Sequence, residues 1–411
     1  MKDILIFRNN NYFRLWFALS VSSLGDTLLS LWSICLVYNY TKSSFFVSLV
    51  FLAGSIPDIL FRLISGAFVD RYNPKKILCL SGLFQSVALL PLLLIPYTDK
   101  SFILWVVVIV NFLQSIFNTF FSSSVSVLVP GIVDKEDLSK ANAMIGLTGS
   151  ILGFLGYGVS GILLSFISPT TIVIIDIVSF LVVSVISYLI TYNYNSENCR
   201  IDINLKTIFE GVSFIRKQPL LKFFIVWAVL GNLTMAPVMV FLPSIASRFS
   251  MNALEGSPLS LFYMAIAAGS FVASLFLSFC SVRNGRKILF VSGTVISISI
   301  IVLELSDIVI ITLLSCFSIS FSITYSAVVL VTVFQTVTPK NLLGRVGSTF
   351  DMIAKTSFPL GYFLVGLAST SVPVFYLFII SSLLMLSSTL FVFVFDKSIN
   401  EVLNTKSANI G

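Results

Sequence analysis

Two long runs of residues without a single charge constrain this chain more than any other feature. One extends from Ser101 to Val133 and the other from Ala141 to Ile175. About 20 consecutive apolar residues suffice to cross a bilayer as a helix, so each run is long enough to span it. Only 10% of the 411 residues are charged, whereas soluble domains carry about 25%. The composition therefore excludes a soluble enzyme and predicts a membrane protein.

Charged residues mark the loops, and the apolar segments between them predict twelve helical spans. These spans cover 13–40, 44–68, 77–97, 102–129, 141–167, 170–192, 220–246, 257–281, 288–305, 308–337, 345–369 and 371–395. The longest connection, 193–219, has apolar residues at three- and four-residue spacing, which predicts an amphipathic helix at the membrane surface. We therefore predict an N-terminal six-helix bundle (1–192), a linker (193–219) and a C-terminal six-helix bundle with a short tail (220–411).

Lysine and arginine placement predicts the orientation, because cytoplasmic loops carry an excess of both. With the N-terminus inside, twenty of the 25 basic residues fall in cytoplasmic segments. The opposite loops hold Lys42, Lys100 and Arg248, and Arg62 and Lys355 fall inside spans. We expect a multi-pass protein of the cell membrane with both termini cytoplasmic. Contact with anionic lipids accounts for the net charge of +7, and nucleic-acid binding is not expected.

Several chemistries are missing from the sequence. It has no histidine, the usual metal ligand and the usual proton carrier near neutral pH. The five cysteines (Cys35, Cys79, Cys199, Cys280 and Cys316) form no C-x-x-C pair. No nucleotide loop of the G-x-x-x-x-G-K-[ST] type is present. We therefore predict no metal, no cofactor, no use of ATP and no enzymatic activity.

The two halves of the chain resemble each other. Pro130 and Pro339 follow spans 4 and 10 at a separation of 209 residues, and Gly156 and Gly361 lie 205 residues apart in spans 5 and 11. Charged turns with similar residues, 72–78 and 283–289, follow spans 2 and 8. Parallel six-span repeats of this kind place a substrate site near mid-membrane and move by rocking about it.

The sequence resembles the major facilitator superfamily, in the branch of macrolide efflux pumps and enterobactin-type exporters. Similarity to the superfamily's loop 2–3 signature is carried by Gly66, Asp70, Arg71, Lys75 and Lys76. The glycine and arginine usual in that turn are here Asn73 and Pro74. Matches to the branch are spread along the chain at 23–26, 129–142, 175–180, 210–219 and 339–346.

The resemblance implies an all-α fold of twelve transmembrane helices in two pseudo-symmetric six-helix repeats. It implies a monomeric, proton-coupled exporter of lipophilic small molecules that works by alternating access. Tyr157 stands where antiporters of the superfamily often carry a proline. An importer or facilitator of the same fold is the alternative, and a membrane protein that does not transport is a third possibility.

Charges inside the predicted spans need a partner or a function, because a charge at the bilayer centre costs several kcal/mol. Asp58 and Arg62 lie one turn apart in span 2, and Asp351 and Lys355 do so in span 11. In the implied fold these spans adjoin, so Arg62 can face Asp351 and Asp58 can face Lys355 as a cytoplasmic latch. The alternatives are that each pair neutralises itself within its own helix, or that these residues face a water-filled cavity.

Asp26, midway along span 1, is the candidate for proton coupling, since carboxylates are the main remaining proton carriers. Its alternative is a polar packing residue bonded to span 2 or span 4, and Asp176 in span 6 is expected to be structural. Asp70, Arg71 and Lys75 are expected to shape their loop. Spans 1, 4, 7 and 10 line the cavity of the implied fold. They supply the substrate-cavity candidates Asn111, Gln114, Asn118, Asn232, Met235 and Tyr325.

Overall fold

The computed structural model describes residues 9–97, 100–134, 136–192, 213–249, 257–279, 285–339 and 342–391, and these contain no strand. Twelve long helices account for most of them. They are α1 Asn10–Thr41, α2 Ser44–Arg71, α3 Pro74–Leu89, α4 Lys100–Ile132, α5 Leu138–Phe166, α6 Pro169–Tyr188, α7 Pro219–Arg248, α8 Ser257–Phe279, α9 Gly285–Leu305, α10 Val309–Val337, α11 Leu343–Ala368 and α12 Val374–Phe391.

Each predicted span corresponds to one of these helices. Within the described residues, eleven are long and apolar enough to cross a membrane. The exception is α11, whose sequence includes Asp351 and Lys355. The third span changes character partway, because α3 ends at Leu89 and the chain continues as a 3₁₀ helix, Leu90–Tyr97. Pro91 lacks the N–H that an α-helix needs at that position, which explains the change.

The predicted amphipathic helix in the linker lies mostly outside the described residues, which begin again at 213 with a helical segment, 213–217. Contacts between Cα atoms group α1–α6 and the first turn of α8 (257–260) into one unit. The second unit contains α7, the rest of α8 and α9–α12. The domain boundaries predicted at 192 and 220 stay a prediction.

The same helix pairs recur inside both units. In the first unit α1 packs against α5 and α6, and α3 packs against α4 and α6; in the second, α7 packs against α11 and α12, and α9 packs against α10 and α12. A Cβ on Gly156 of α5 would lie 3.2 Å from Thr27 of α1, and one on Gly361 of α11 would lie 2.8 Å from Ala236 of α7. The glycines of the predicted repeat thus allow equivalent close contacts.

Polar groups at the start of α1 connect it to distant parts of the first unit. The Asn9 side chain caps the helix by accepting from the backbone N–H groups of Asn11 and Tyr12 at 3.0 and 3.1 Å. The Tyr12 hydroxyl, on a fully buried side chain, donates to the carbonyl oxygen of Ala141 at 2.8 Å. Arg14 donates to the carbonyl of Leu189 at 2.5 Å. These bonds fix one end of α1 against α5 and the end of α6.

The structure of the turn between α2 and α3 explains why Asn73 and Pro74 can replace the glycine and arginine usual in the signature. The Asn73 side chain accepts from the Lys75 N–H at 3.0 Å, and Pro74 occupies the first helical position, where its missing N–H costs nothing. Arg71 lies 5.8 Å from the centre of the Tyr72 ring, and Lys75 lies 5.3 Å from that of Tyr188. Asn73 and Pro74 therefore start α3 as an N-cap and a helix-compatible proline.

The remaining signature residues lie on the helices that flank this turn. Gly66 is within α2, where a Cβ would meet nothing within 4 Å. Asp70 occupies the last turn of α2 and is half-buried, and Lys76 is exposed in the first turn of α3. The expected role of Asp70, Arg71 and Lys75 in shaping the loop stays a prediction.

Candidate functional site

The predicted charge pair of α2 is closed within its own helix. Arg62 Nη2 donates to both carboxylate oxygens of Asp58, at 2.7 and 2.8 Å. The Thr119 hydroxyl of α4 donates to Asp58 Oδ1 at 3.3 Å. Arg62 and Asp58 side chains are 44% and 31% exposed, so the pair is only partly covered within the protein. This is the arrangement that self-neutralisation requires.

The corresponding pair of α11 is arranged differently. Asp351 is exposed and Lys355 is half-buried. The ion pairs of the described residues, taken at a limit of 4.0 Å, do not include one between these two side chains. Pairing of Arg62 with Asp351, and of Asp58 with Lys355, would join the two units and stays a prediction.

Asp26, the proton-coupling candidate, lies where α1 crosses α6. Its side chain is exposed, and the Ser22 hydroxyl one turn earlier donates to Oδ2 at 3.3 Å. The next residue toward the N-terminus, Gly25, is in direct contact with Asp176 of α6, since a Cβ on Gly25 would overlap Asp176 Oδ1. Because Asp26 follows Gly25 directly, the two aspartates belong to the same helix crossing.

From the sequence, Asp176 is interpreted as a structural residue and is not predicted to lie at the same helix crossing as Asp26. The structure shows it 1% exposed, with one carboxyl oxygen, Oδ2, that has no hydrogen-bond partner among the described residues. The signal that could have found this contact was Gly25 itself. A glycine beside an intramembrane aspartate indicates close approach of another helix.

Two of the predicted cavity residues line a cavity inside the second unit. Its volume is about 330 Å³, and Asn232 and Met235 of α7 belong to its wall. Asn232 Nδ2 also donates to the carbonyl oxygen of Ala354 in α11, at 2.8 Å. The rest of the wall is mostly aliphatic, aromatic or methionine, with a few hydroxyls: Trp227, Ala228, Gly231, Met239, Ile266, Ile296, Ser320, Ile323, Ser326, Ala327, Leu330, Phe358, Tyr362 and Met385.

A smaller cavity of about 290 Å³ lies inside the first unit, between α1, α4 and α5. Asn118, another predicted cavity residue, lines it. Hydroxyl groups are frequent in its wall, which includes Ser20, Ser23 and Thr148, and the Thr148 hydroxyl accepts from the Trp16 indole N–H at 2.9 Å. This cavity is therefore more polar in its lining than the one in the second unit.

The structure places the other three cavity candidates in the packing between helices. Asn111 donates to the carbonyl of Val107 on its own helix at 2.8 Å. Gln114 donates from Nε2 to the carbonyl of Gln85 in α3 at 2.9 Å. Tyr325 stacks on Phe321 with ring centres 5.9 Å apart, and neither ring lines a cavity described above. Their predicted role in binding substrate stays a prediction.

Three of the five cysteines, Cys35, Cys79 and Cys316, form no disulfide in the described part of the chain. Cys199 and Cys280 lie outside the described residues. Within the described part of the chain no group of three histidine, cysteine or acidic side chains could hold a metal ion.

A bundle of long apolar helices with cavities inside each unit defines a multi-pass membrane protein of the transporter class. Comparison with protein families gives the same class and a family: the model of the Major Facilitator Superfamily matches residues 15–361. The chain belongs to this superfamily. It therefore has the superfamily's twelve-helix fold and is a transporter of small molecules rather than an enzyme.

The similar proteins include drug exporters. Macrolide efflux protein A of Streptococcus pyogenes is 23% identical over 383 residues, which cover 91% of this chain and 93% of that protein. The multidrug efflux pump Tap of Mycolicibacterium fortuitum is 23% identical over 341 residues, covering 80% and 82%. Among solved structures, the nucleoside transporter NupG matches with a TM-score of 0.70 at 12% identity, covering 92% of this chain and 99% of that one.

Proposed function

We propose that this protein exports lipophilic small molecules as a proton antiporter that works by alternating access. The observation that carries the proposal is the 330 Å³ cavity of the second unit. Ligand pockets of about 300–1,000 Å³ with an apolar wall and few polar groups are typical binding sites for drug-sized molecules. The similarity to Macrolide efflux protein A and to the pump Tap supports export as the direction.

The wall of this cavity suits a bulky, mostly apolar ligand. Met235, Met239 and Met385 are flexible and polarisable, so they adapt to different ligand shapes. Trp227 and Phe358 supply flat apolar surfaces, and amide and hydroxyl groups supply a small number of hydrogen bonds. A wall of this kind favours lipophilic compounds, including macrolides, over small charged metabolites.

Asp26 is our candidate for the residue that couples export to protons. The sequence offers no histidine, so carboxyls are the main remaining groups that can carry the proton on and off. Asp26 is the exposed carboxyl of α1, held by Ser22. The positive-inside rule predicts that both termini are cytoplasmic, so outward transport would move substrate away from the basic loops. We propose that the transporter works as a monomer in the cell membrane and contacts its lipids.

Transport by purified protein in vesicles tests the proposal. With tritiated erythromycin as the macrolide probe, we expect counterflow without a gradient and faster transport when a pH gradient is imposed. Asp26→Asn should keep counterflow and lose the response to the gradient. A facilitator would show counterflow with no gradient response in the wild type, and a proton-coupled importer would move erythromycin in the same direction as the protons. Absence of both counterflow and gradient-driven transport for a panel of macrolides, dyes and siderophores would exclude drug export.

A further inference from the structure

The crossing of α1 and α6 brings two carboxyls together at a point without room for another side chain. Gly25 leaves space for the Asp176 side chain, and an added Cβ there would also lie 2.8 Å from the Ser179 hydroxyl oxygen. Because Asp26 follows Gly25 directly, its carboxyl starts one residue from this contact. The two carboxyls belong to different helices, and these helices meet at this crossing.

The two members of this pair have different surroundings. Asp26 is exposed, whereas Asp176 is 1% exposed. The Ser179 hydroxyl lies 3.1 Å from Asp176 Oδ1 and 2.8 Å from the Asp176 backbone oxygen, so its single proton can serve only one of them. Asp176 Oδ2 has no partner in the described part of the chain. A buried carboxylate with so few donors is costly, and a bound proton removes that cost.

The described elements that pack against α6 are α1, α3 and the segment 90–97. Their charged and titratable groups besides Asp26 are Tyr12, Arg14, Cys35, Tyr38, Tyr40, Lys75, Lys76 and Cys79, with Tyr97 at the end of the third element. Arg14 and Lys75 both contact the far end of α6, at Leu189 and Tyr188. With a rise of about 1.5 Å per residue, that end is roughly 18 Å from Asp176, too far for an ion pair.

The element nearest to Asp176 on its other side is α3, which offers polar groups but no charge there. A Cβ on Gly82 of α3 would lie 3.0 Å from the carbonyl oxygen of Phe180, one turn from Asp176. Gln85, almost one turn beyond Gly82, is 3% exposed and its Oε1 also has no partner among the described residues.

The helix of Asp26, α1, also packs against α2, α4 and α5, whose charged and titratable groups are Asp58, Arg62, Asp70, Arg71, Lys100, Lys140 and Tyr157. Of these, Arg62 is paired with Asp58 on its own helix. The elements packed against α6 offer Asp176 unused acceptors and no described cation nearby, which favours a proton as its neutralising group.

We propose that Asp26 and Asp176 form one carboxyl pair that holds a single proton, with Asp26 exchanging it with water and Asp176 as its buried partner. The proposal rests on the proton coupling proposed above and extends it to a second residue. Two close carboxylates repel each other when both are ionised, so one proton stabilises the pair and its loss is felt by both members. Only an O–H bond forms or breaks in this step.

Infrared titration of the purified full chain tests the pair without any substrate. The carbonyl stretch of a protonated carboxyl is followed against pH in the wild type, in Asp26→Asn and in Asp176→Asn. We expect each substitution to remove one titrating carboxyl and to change the pH at which the other titrates. Asp307→Asn, at an exposed position between α9 and α10, is the matched control and should leave both unchanged.

If Asp26 titrates at the same pH in the wild type and in Asp176→Asn, the two carboxyls are independent and the proposed pair is wrong. If Asp176→Asn does not fold, Asp26→Asn tests the same coupling from the other side, because Asp176 then titrates alone. Vesicle transport is the second measurement. We expect Asp176→Asn to retain erythromycin counterflow and to lose its response to a pH gradient, and a wild-type response would contradict the pair.

The two measurements separate this proposal from the proposed function. A wild-type protein that exchanges erythromycin but ignores the pH gradient would disprove proton antiport. The infrared titration would still decide whether the two carboxyls share a proton. Conversely, the wild type and Asp176→Asn could both show gradient-driven transport while Asp26→Asn does not. That result would support proton antiport and would contradict a role of Asp176 in it.

Discussion

The crossing of α1 and α6 has a counterpart in the second unit, where α7 crosses α12. Met235 lies 209 residues after Asp26, the separation that also relates Pro130 to Pro339 in the repeat. In the first unit Asp176 is buried against this crossing, whereas in the second the Thr234 hydroxyl lies 3.5 Å from the carbonyl oxygen of Ser381.

The difference shows how one arrangement of helices can carry two chemistries. Where the first unit has Asp26, the second has Met235, which is 8% exposed and lines the larger cavity. Acidic groups at the crossing suit proton exchange, and a methionine there suits contact with an apolar ligand. We propose that the repeats have divided these tasks, the first unit handling the proton and the second the substrate.

The largest effect is expected when the aspartate found at position 26 of the first unit is introduced at the corresponding position, Met235, of the second. Met235→Asp introduces a carboxylate into an apolar wall, at a cost of roughly 2.5–3.5 kcal/mol near the bilayer centre. We expect a lower Tm in detergent and loss of erythromycin counterflow. Met235→Leu keeps the apolar character and should change both little. If the Met235→Asp protein is as stable as the wild type, the surroundings of position 235 are more polar than the residues of the cavity wall indicate.

The charge pairs of α2 and α11 allow the next test, because the two alternatives predict different rescues. Arg62→Asp should abolish gradient-driven export, since it leaves two acidic residues one turn apart inside the bilayer. If the latch between the units operates, adding Asp351→Arg restores export. If the α2 pair neutralises itself, as its 2.7 Å contact suggests, adding Asp58→Arg restores it instead.

Membrane expression and vesicle transport of both double variants distinguish the latch between the units from self-neutralisation within α2. Lys222→Ala is the control, because it removes an exposed charge of α7 that belongs to neither pair and should leave export unchanged. Rescue by the Asp351→Arg combination alone would establish the latch. Rescue by the Asp58→Arg combination alone would reject it, and each single change should remain inactive at normal expression.

The smallest expected effect concerns the space at the crossing. Gly25→Ala would overlap Asp176 Oδ1, and overpacking of this kind costs about 1–3 kcal/mol. Gly231→Ala is the matched control in α7, because its Cβ would meet nothing within 4 Å and should gain up to about 1 kcal/mol of helix propensity. Thermal unfolding in detergent should therefore give opposite changes in Tm. Equal changes would mean that the two positions tolerate a side chain equally.

Much of the fold could be predicted because lipid imposes a strong pattern on sequence. Uncharged runs, such as the one between Lys100 and Asp134, have to be helices in a bilayer, since no water is present to satisfy the backbone. Repeat spacing identified Gly156 and Gly361 as related positions, and the structure gives both the same kind of contact. The change to a 3₁₀ helix after Leu89 was not predicted, because hydropathy does not register the missing donor of Pro91.

The candidate site was harder to predict, because it depends on which face of each helix meets which neighbour. Asn118, Asn232 and Met235 line cavities, while Asn111 and Gln114 make hydrogen bonds within the helix packing. Because nearly all faces of these helices are apolar, the hydrophobic periodicity does not distinguish a face that lines a cavity from one that packs against another helix. The contact of Asp176 with α1 joins residues about 150 positions apart along the chain, and no local pattern records such a distance.

The bonds at the start of α1 have a consequence for how the protein is made. The Asn11 side chain donates to the carbonyl of Thr191, 180 residues later, and Arg14 donates to that of Leu189, 175 residues later. These two donors of α1 therefore meet their protein partners only after α6 has been inserted. The first unit can therefore complete this set of bonds only when all six of its helices are present.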